Sequence, residues 1–110
     1  MSDNADMGDS LFEVPTPLGF RVRVSRSYWQ FIITVKHPVM GGYESDVKKT
    51  LEKPDEIRLS RTDPAVYLFY SSQRKERWVC AVAKRLNEEG FLITTYPTHV
   101  IKEGVRVWPR

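Results

Sequence analysis

The chain has few of the residues that build metal sites and disulfides. Its 110 residues include one cysteine, Cys80, and two histidines, His37 and His99. One cysteine cannot form a disulfide within the chain, and two isolated histidines without a cysteine pair give no zinc signature. We therefore expect neither a metal nor another cofactor. Cys80 stands in an apolar, strand-like run, so we interpret it as a packed core thiol.

Other absences exclude further classes of protein. The sequence has no long apolar run, so no transmembrane helix is expected. Its first residues, MSDNADMGDSLFEV, lack the basic and apolar regions of a signal peptide. There is also no glycine-rich phosphate loop and no serine-centred nucleophile elbow. We therefore expect a cytoplasmic protein without a membrane partner.

Charge is distributed unevenly along the chain. There are 17 lysines and arginines and 14 aspartates and glutamates, for a net charge of +3. Four of the acidic residues lie within the first 13 positions, which contain no lysine or arginine. The remaining body is therefore more basic than the total indicates, which favours a polyanionic partner such as RNA. On composition alone, ordinary solubility charge explains the balance equally well.

The length predicts one domain, preceded by a short tail. Residues 1–15 are polar, acidic and without periodicity, and we predict a disordered acidic lead-in there. Residues 16–110 are predicted to form a single folded domain. The chain has no internal repeats and no low-complexity segment.

The first half of the domain combines a strand with helical segments. Gly19–Val24 alternates apolar and basic residues, which predicts a half-buried strand. Tyr28–Lys36 is ambiguous, because its alternation favours a strand while a second apolar pattern behind a serine cap favours a helix. Residues 43–52 repeat apolar side chains every four positions, which predicts a short amphipathic helix ended by Pro54.

The second half is predicted to be a sheet. Ser71–Arg77 is interpreted as a basic turn, and Asn87–Gly90 as a hairpin turn in which Gly90 supplies a positive φ. The sequence thus predicts an α+β fold: an N-terminal strand and one or two helices packed on an antiparallel sheet of about four strands. Strands are predicted at Glu56–Ser60, Val66–Tyr70, Trp78–Lys84 and Phe91–Tyr96, with Val105–Trp108 as a short further edge strand.

Several side chains have the chemistry needed for RNA cleavage without a metal. In that reaction a 2′-hydroxyl attacks the adjacent phosphate, which requires a base, an acid and a cation for the developing charge. Arginine can bind phosphate with two hydrogen bonds. Candidates for proton transfer are His37 and Glu44; candidates for phosphate contact are Arg58, Arg61, Arg74, Lys84 and Lys102; candidate hydrogen-bond donors are Tyr70, Thr94, Thr95 and Tyr96.

Each candidate also has a purely structural explanation. His37 stands before Pro38 and is equally explained as a residue that packs at a helix end. Glu44 is better explained as an i, i+4 partner of Lys48. The arginines fit a solvated rim, and the threonines fit ordinary strand formers. The aromatic residues Tyr67, Phe69, Trp78 and Phe91 are interpreted mainly as core rather than as platforms for bases.

Four motifs, taken in order, resemble a known family. They are TPLGFRVRVSRSYWQFI (16–32), KHPVMGGYE (36–44), VKKTLEKPDEIRLSRTDPAVYLFY (47–70) and RWVCAVAKRLNEEGFLITTYPTHVIKEG (77–104). Together they resemble the small phage- and toxin-associated domains grouped with the barnase–EndoU–colicin–RelE-like nucleases. The resemblance covers roughly residues 16–108. It implies helices packed on a four-stranded antiparallel sheet, and it favours a helix at Tyr28–Lys36.

The resemblance also implies an activity and a set of roles. It implies a metal-independent endoribonuclease, a toxin with a cognate antitoxin protein, and tRNA or mRNA as substrate. His37 would be the general base or acid and Glu44 a second proton carrier. Arg58 and Arg61 would stabilise the scissile phosphate, while Thr94 and Tyr96, at i and i+2, would orient it. Two alternatives stay open: an RNA-binding module without catalysis, and a protein-interaction domain.

Overall fold

The computed structural model describes residues 9–101 and 103–110 and has an α+β architecture dominated by strands. Two α-helices lie between the second and third strands, α1 (Arg26–Phe31) and α2 (Glu44–Glu52). Helix α1 continues as a π-helical turn, Ile32–Lys36, which a short 3₁₀ turn follows at Pro38–Met40. The strands are β1 (Ser10–Pro15), β2 (Arg21–Ser25), β3 (Glu56–Leu59), β4 (Val66–Arg74), β5 (Arg77–Leu86), β6 (Glu89–Thr98) and β7 (Val105–Trp108).

All seven strands form one mixed sheet in the order β1-β2-β6-β5-β4-β3-β7. Strands β3 to β6 follow one another as an antiparallel meander, and β2 joins β6 in parallel. The predicted α+β class is therefore confirmed, but the prediction of about four strands is too low. The N-terminal strand extends the sheet instead of packing on it, because β2 buries its apolar side chains beside β6.

The segment predicted as a disordered lead-in contributes a strand. Phe12 and Val14 on β1 are buried and alternate with exposed Glu13, and β1 pairs antiparallel with β2. The prediction for residues 1–15 is therefore wrong for Ser10–Pro15. The prediction followed the acidic composition of the segment and overlooked Phe12 and Val14, an apolar pair at i and i+2 that is enough for an edge strand. Residues 1–8 lie outside the described part of the chain.

The ambiguous segment Tyr28–Lys36 is helical. Ser25 caps α1, with its hydroxyl accepting a hydrogen bond of 3.0 Å from the Tyr28 backbone N–H. Trp29 and Ile32 bury their side chains against the sheet, so tertiary packing outweighs the strand-like alternation. The helical stretch ends at His37, whose φ of −143° and ψ of 79° suit a residue that precedes proline.

The sheet has two distinct faces. The face that we call helix-covered packs against both helices and carries the main core, including Phe69, Ala81 and Leu92. The opposite face, which we call the outer face, carries a smaller cluster around Leu68, Tyr70 and Cys80. Cys80 is fully buried, as predicted. None of the helices within residues 9–101 and 103–110 is long and apolar enough to span a membrane.

Turn and strand limits in the meander differ from the predictions. Strand β4 runs on to Arg74, so the predicted basic turn Ser71–Arg77 shrinks to two residues. At the next hairpin Asn87, not Gly90, has the positive φ, at 64°. Strand β6 also continues through Pro97. A proline is tolerated there because β2 pairs only with the first residues of β6 and leaves Pro97 with one strand neighbour.

Candidate functional site

The outer face gathers most of the predicted site residues. Side chains that share a face and a register form rows across neighbouring strands, so the strand pairing places each candidate. Three successive rows matter here. They are Glu56–Tyr70–Cys80–Tyr96, then Arg106–Arg58–Leu68–Val82–Thr94, then Val66–Lys84–Phe91–Arg23.

His37 reaches this face from the helical segment. Its ring packs beside the ring of Tyr96, with the ring centroids 5.4 Å apart and the ring planes 44° apart. Lys36, the preceding residue, donates hydrogen bonds from its ammonium to the Ile93 carbonyl at 3.2 Å and to the Tyr28 hydroxyl at 3.3 Å. We call the group Lys36, His37 and Tyr96 the edge site, because it lies where the helical segment meets the edge of β6.

A β-bulge in β6 builds the edge site. Val82 pairs with Thr94 while Ala83 pairs with Leu92, so Ile93 is an extra residue in the strand. Its carbonyl accepts hydrogen bonds from both Tyr28, at 2.8 Å, and Lys36. The bulge thus anchors the helical segment to β6, and it returns Tyr96 to the outer face.

Tyr70, Cys80 and Tyr96 form the centre of the second hydrophobic cluster. Burial raises the pKa of the Cys80 thiol to about 12. Burial, followed by the proximity of Cys80, also raises the pKa of Tyr70 and Tyr96 above the usual range. Both tyrosines therefore keep their protons in any physiological solution, which makes Tyr96 a hydrogen-bond donor rather than a base.

Arg58 is held by neighbours within its own part of the sheet. Its Nε donates to Glu56 Oε2 at 2.6 Å and its Nη1 to the Gly104 carbonyl at 3.2 Å. Strands β3 and β6 are separated by β4 and β5, which puts their backbones roughly 14 Å apart. Arg58 and His37 consequently do not converge on one phosphate as the sequence predicted. Lys36 is the cation that accompanies His37.

A cleft of about 410 Å³ opens on the outer face between the sheet and the loop before β7. Tyr96 lines one side, and Arg61 and Glu103 line the other. The remaining lining residues are Ser60, Thr62, Val66, Leu68, Val82 and Gly104. The cleft therefore connects the edge site to a second, exposed arginine, Arg61.

Two predicted site residues lie on the helix-covered face of the sheet, opposite the edge site. Thr95 is fully buried on the helix-covered face, where its hydroxyl donates to the Cys80 carbonyl at 2.8 Å. Glu44 belongs to α2, which packs on that same face, and its carboxylate accepts a hydrogen bond of 3.0 Å from the Trp29 indole N–H. Both side chains serve the core. Glu44 is also not paired with Lys48, the partner that its spacing suggested.

The other candidates are dispersed. Lys84 lies on the outer face, 3.6 Å from Asp63. Arg74 is exposed at the tip of the β4–β5 hairpin, away from the edge site. The Thr94 hydroxyl oxygen is buried and has no hydrogen-bond partner among the described residues, so it does not face an incoming ligand. Lys102 lies outside the described residues.

Three further residues of the edge site, the outer face and the cleft were not among the sequence-based candidates: Lys36, Phe91 and Glu103. Lys36 could have been found as the cation directly before His37-Pro38. Phe91 was assigned to the core, yet it is 39% exposed on the outer face. Glu103 lines the cleft and its charge raises the pKa of Tyr70, Cys80 and Tyr96, although it contributes less than burial does.

No family model, no curated protein and no solved structure matches this chain. Among the described residues, no group of three or more histidine, cysteine, aspartate and glutamate side chains is placed to hold a metal ion. The edge site, the outer face and the cleft are therefore the features from which a function can be inferred.

Proposed function

We propose that this chain is a metal-independent endoribonuclease of toxin type that cleaves RNA at the edge site. The observation that carries the proposal is the contact of His37 with Tyr96 on a sheet face that also bears Arg58, Lys84 and Arg23. It combines an imidazole, the side chain best suited to proton transfer near neutral pH, with lysine and arginine side chains that can contact a polyanion.

His37 would act on the 2′-hydroxyl of the nucleotide before the scissile bond. The imidazole takes the hydroxyl proton while the 2′-oxygen forms a bond to phosphorus. The bond from phosphorus to the 5′-oxygen breaks, and that oxygen takes a proton from the imidazolium or from water. The products are a 2′,3′-cyclic phosphate and a free 5′-hydroxyl. Such proton transfer contributes about 10²- to 10⁴-fold in rate.

Lys36 and Tyr96 would stabilise the transition state. The Lys36 ammonium is exposed and lies near the edge of β6, where it can offset the charge that develops on the phosphate oxygens. Tyr96 stays protonated because burial raises its pKa, so its hydroxyl can only donate to a phosphate oxygen, not remove a proton. Arg61, across the cleft, would hold a neighbouring phosphate.

The test is cleavage of total RNA in EDTA by the purified protein. Wild type should cleave, and His37→Ala should lower the rate by about 10²-fold or more. His99→Ala is the matched control: the second histidine is exposed and contacts the Glu76 carbonyl at a hairpin tip, so its loss should leave cleavage unchanged. Fragments should carry a 2′,3′-cyclic phosphate. Absent cleavage by wild type, or equal cleavage by folded His37→Ala, would refute the proposal.

A toxin role predicts further effects in the cell. Expression should arrest growth, co-expression of a cognate antitoxin protein should relieve the arrest, and 5′ ends mapped after induction should reveal whether tRNA or mRNA is the substrate. Growth arrest that persists with His37→Ala would separate toxicity from cleavage.

One observation favours a second candidate, an RNA-binding module without catalysis. The most buried cation of the outer face, Arg58, is already engaged by Glu56 and Gly104, with side-chain exposures of 24% and 19% in the ion pair. An arginine that is internally neutralised is less available to stabilise a transition state, whereas the exposed ion pairs of Arg23 and Lys84 can be exchanged for contacts with RNA phosphates. This candidate predicts salt-dependent RNA binding with intact RNA.

A further inference from the structure

The outer face presents an aromatic ring flanked by two cations. Phe91 on β6 is 39% exposed. Its direct partner on β2 is Arg23, and its direct partner on β5 is Lys84. All three side chains belong to one row, so the ring lies between a guanidinium-bearing and an ammonium-bearing side chain.

Phe91 is exposed because of its position in β6. Its chain neighbours Gly90 and Leu92 are buried on the helix-covered face, so Phe91 must point to the outer face. The helices cover only the other face, and the second hydrophobic cluster lies at the Tyr70–Cys80–Tyr96 row. Phe91 is therefore a large apolar side chain that the fold leaves uncovered.

The two flanking cations are weakly held. Arg23 lies 3.7 Å from Glu89 and Lys84 lies 3.6 Å from Asp63, and all four side chains are more than a third exposed. Ion pairs of this kind contribute about 0–1 kcal/mol and are readily exchanged for another anion. RNA phosphates on the two sides of the ring can therefore replace Glu89 and Asp63 as the partners of Arg23 and Lys84.

We propose that Phe91 is a stacking platform for an unpaired base, and that the chain consequently selects single-stranded RNA. This inference depends on the proposed function for the identity of the polymer. Aromatic rings between cations on an open sheet bind single strands, because bases stack on the ring while phosphates contact the cations. A base inside an A-form duplex is already stacked on both sides and cannot cover the ring.

The position of Phe91 relative to the edge site fits one continuous strand of RNA. Phe91 and Tyr96 lie on the same face of the same strand, with the bulge at Ile93 between them. Their separation along β6 is roughly 15 Å. The stacked base would thus belong to a nucleotide near, but not at, the scissile bond, so Phe91 sets affinity and substrate choice rather than the chemical step.

The experiment measures binding separately from cleavage. Fluorescence anisotropy of a labelled, unstructured RNA oligonucleotide is recorded in EDTA with protein that carries His37→Ala, so that the RNA stays intact. Adding Phe91→Ala should weaken binding about tenfold or more, Phe91→Trp should preserve it, and Phe91→Leu should behave like alanine because the flat ring is lost. A blunt RNA duplex should bind weakly and should not respond to Phe91→Ala.

Val105→Ala is the control for the loss of an exposed apolar side chain. Val105 is 50% exposed, but it lies on β7 at the far edge of the sheet and pairs with Leu59 rather than with a residue of the outer-face rows. Its loss should leave RNA binding unchanged. Salt titration separates stacking from charge: Lys84→Ala should lower the slope of log K against log salt by about 1, whereas Phe91→Ala should leave the slope unchanged.

The outcomes distinguish the two proposals. If RNA is cleaved by the wild type but Phe91→Ala changes neither binding nor KM, the stacking inference fails and the nuclease stands. If single-stranded binding depends on Phe91 but wild type never cleaves RNA, the nuclease fails and the inference stands. Equal binding of duplex and single strand, or no RNA binding at all, overturns the inference.

Discussion

At the scale of single residues, the centre of the outer face holds one thiol and two phenols in their neutral forms. Cys80 is fully buried between Tyr70 and Tyr96 in one row, and burial is the main reason why all three have raised pKa values. A thiol that stays protonated is a poor nucleophile. The assignment of Cys80 to the core thus has an electrostatic reason as well as a packing reason.

Glu44 provides the sharpest residue-level test, because sequence and structure assign it different roles. Its carboxylate accepts the hydrogen bond of the buried Trp29 indole N–H. Glu44→Ala leaves that N–H without its partner and should lower the free energy of unfolding by about 1–3 kcal/mol in urea titrations. Glu44→Gln keeps an acceptor and should cost less than about 1 kcal/mol.

RNA cleavage by Glu44→Gln decides between the two roles. An amide retains the hydrogen bond but cannot carry a proton at neutral pH, so a structural Glu44 predicts full cleavage by this variant. Loss of cleavage in a variant with normal urea stability would restore Glu44 as a proton carrier.

The bulge at Ile93 limited what could be predicted about individual residues. Regular alternation from Phe91 would place positions 91, 93 and 95 on one face, with Thr94 on the other. The extra residue reverses this phase, so Phe91 and Thr94 share the outer face while Thr95 is buried. This bulge accepts hydrogen bonds from Tyr28 and Lys36, which are distant in sequence, so no local pattern predicts it.

At the scale of elements, the helical segment and the loop before β7 shape the two sides of the site. The sequence predicted α2 and all strands of the meander, because their apolar periods and breakers are local, whereas the pattern at Tyr28–Lys36 was ambiguous and only the resemblance favoured a helix there. It could not predict that His37 would reach Tyr96, since that contact depends on how the π-helical turn is anchored to β6. Nor could it predict that Arg58 would be engaged by the loop at Gly104.

Substitution of Gly104 tests whether the loop before β7 fixes the position of Arg58. The φ of Gly104 is +85°, and a Cβ built on it would lie 2.6 Å from the Leu59 carbonyl oxygen and 3.1 Å from Arg58 Cβ. Gly104→Ala should therefore lower the free energy of unfolding by about 2–4 kcal/mol, through backbone strain and overpacking together. Urea titration of the purified variant measures the change.

Gly42 is a matched control for Gly104→Ala. It has nearly the same φ, +88°, but nothing lies within 4 Å of a Cβ built on it. Gly42→Ala should cost only the strain, about 1–2 kcal/mol. Equal losses for the two variants would show that the loop yields to the added methyl group and does not fix the position of Arg58.

At the scale of the whole molecule, the sheet is larger than the sequence indicated. The prediction counted strands by their local patterns and attached the N-terminal strand to the outside of the sheet. Buried Phe12 and Val14 instead extend the core beyond β2. Val107 and Trp108 extend it beyond β3, on the edge strand that the sequence did predict at Val105–Trp108. Whether a strand joins the sheet depends on which strand edges are still unpaired. This is known only when every other strand has been given its partner.

The raised pKa values predict a loss of stability in alkaline solution. In the unfolded chain Cys80 has its usual pKa of 9.0, and Tyr70 and Tyr96 have their usual pKa of 10.0, but burial raises these pKa values in the folded protein, so the three groups hold their protons to higher pH. Above about pH 9 the unfolded state therefore binds fewer protons, so the free energy of unfolding decreases as pH rises. Each such group contributes roughly 1 kcal/mol per pH unit in that range.

Urea titrations between pH 8 and pH 11 measure this decline. Stability should be nearly constant up to about pH 9 and should decrease from there, where the first of these groups ionises in the unfolded chain. Tyr70→Phe removes one of the three groups and should make the decline shallower above about pH 10. A free energy of unfolding that is constant to pH 11 would contradict the burial of these groups.

The parallel pairing of β2 with β6 has a consequence for synthesis on the ribosome. Strand β2 ends at Ser25 and its partner β6 begins at Glu89, so β1, β2 and α1 cannot dock on the sheet until β6 has emerged. The same holds for His37 and Tyr96, which meet only across that junction. A nascent chain therefore has no assembled edge site until β6 has emerged, and the proposed nuclease activity would begin only after that point.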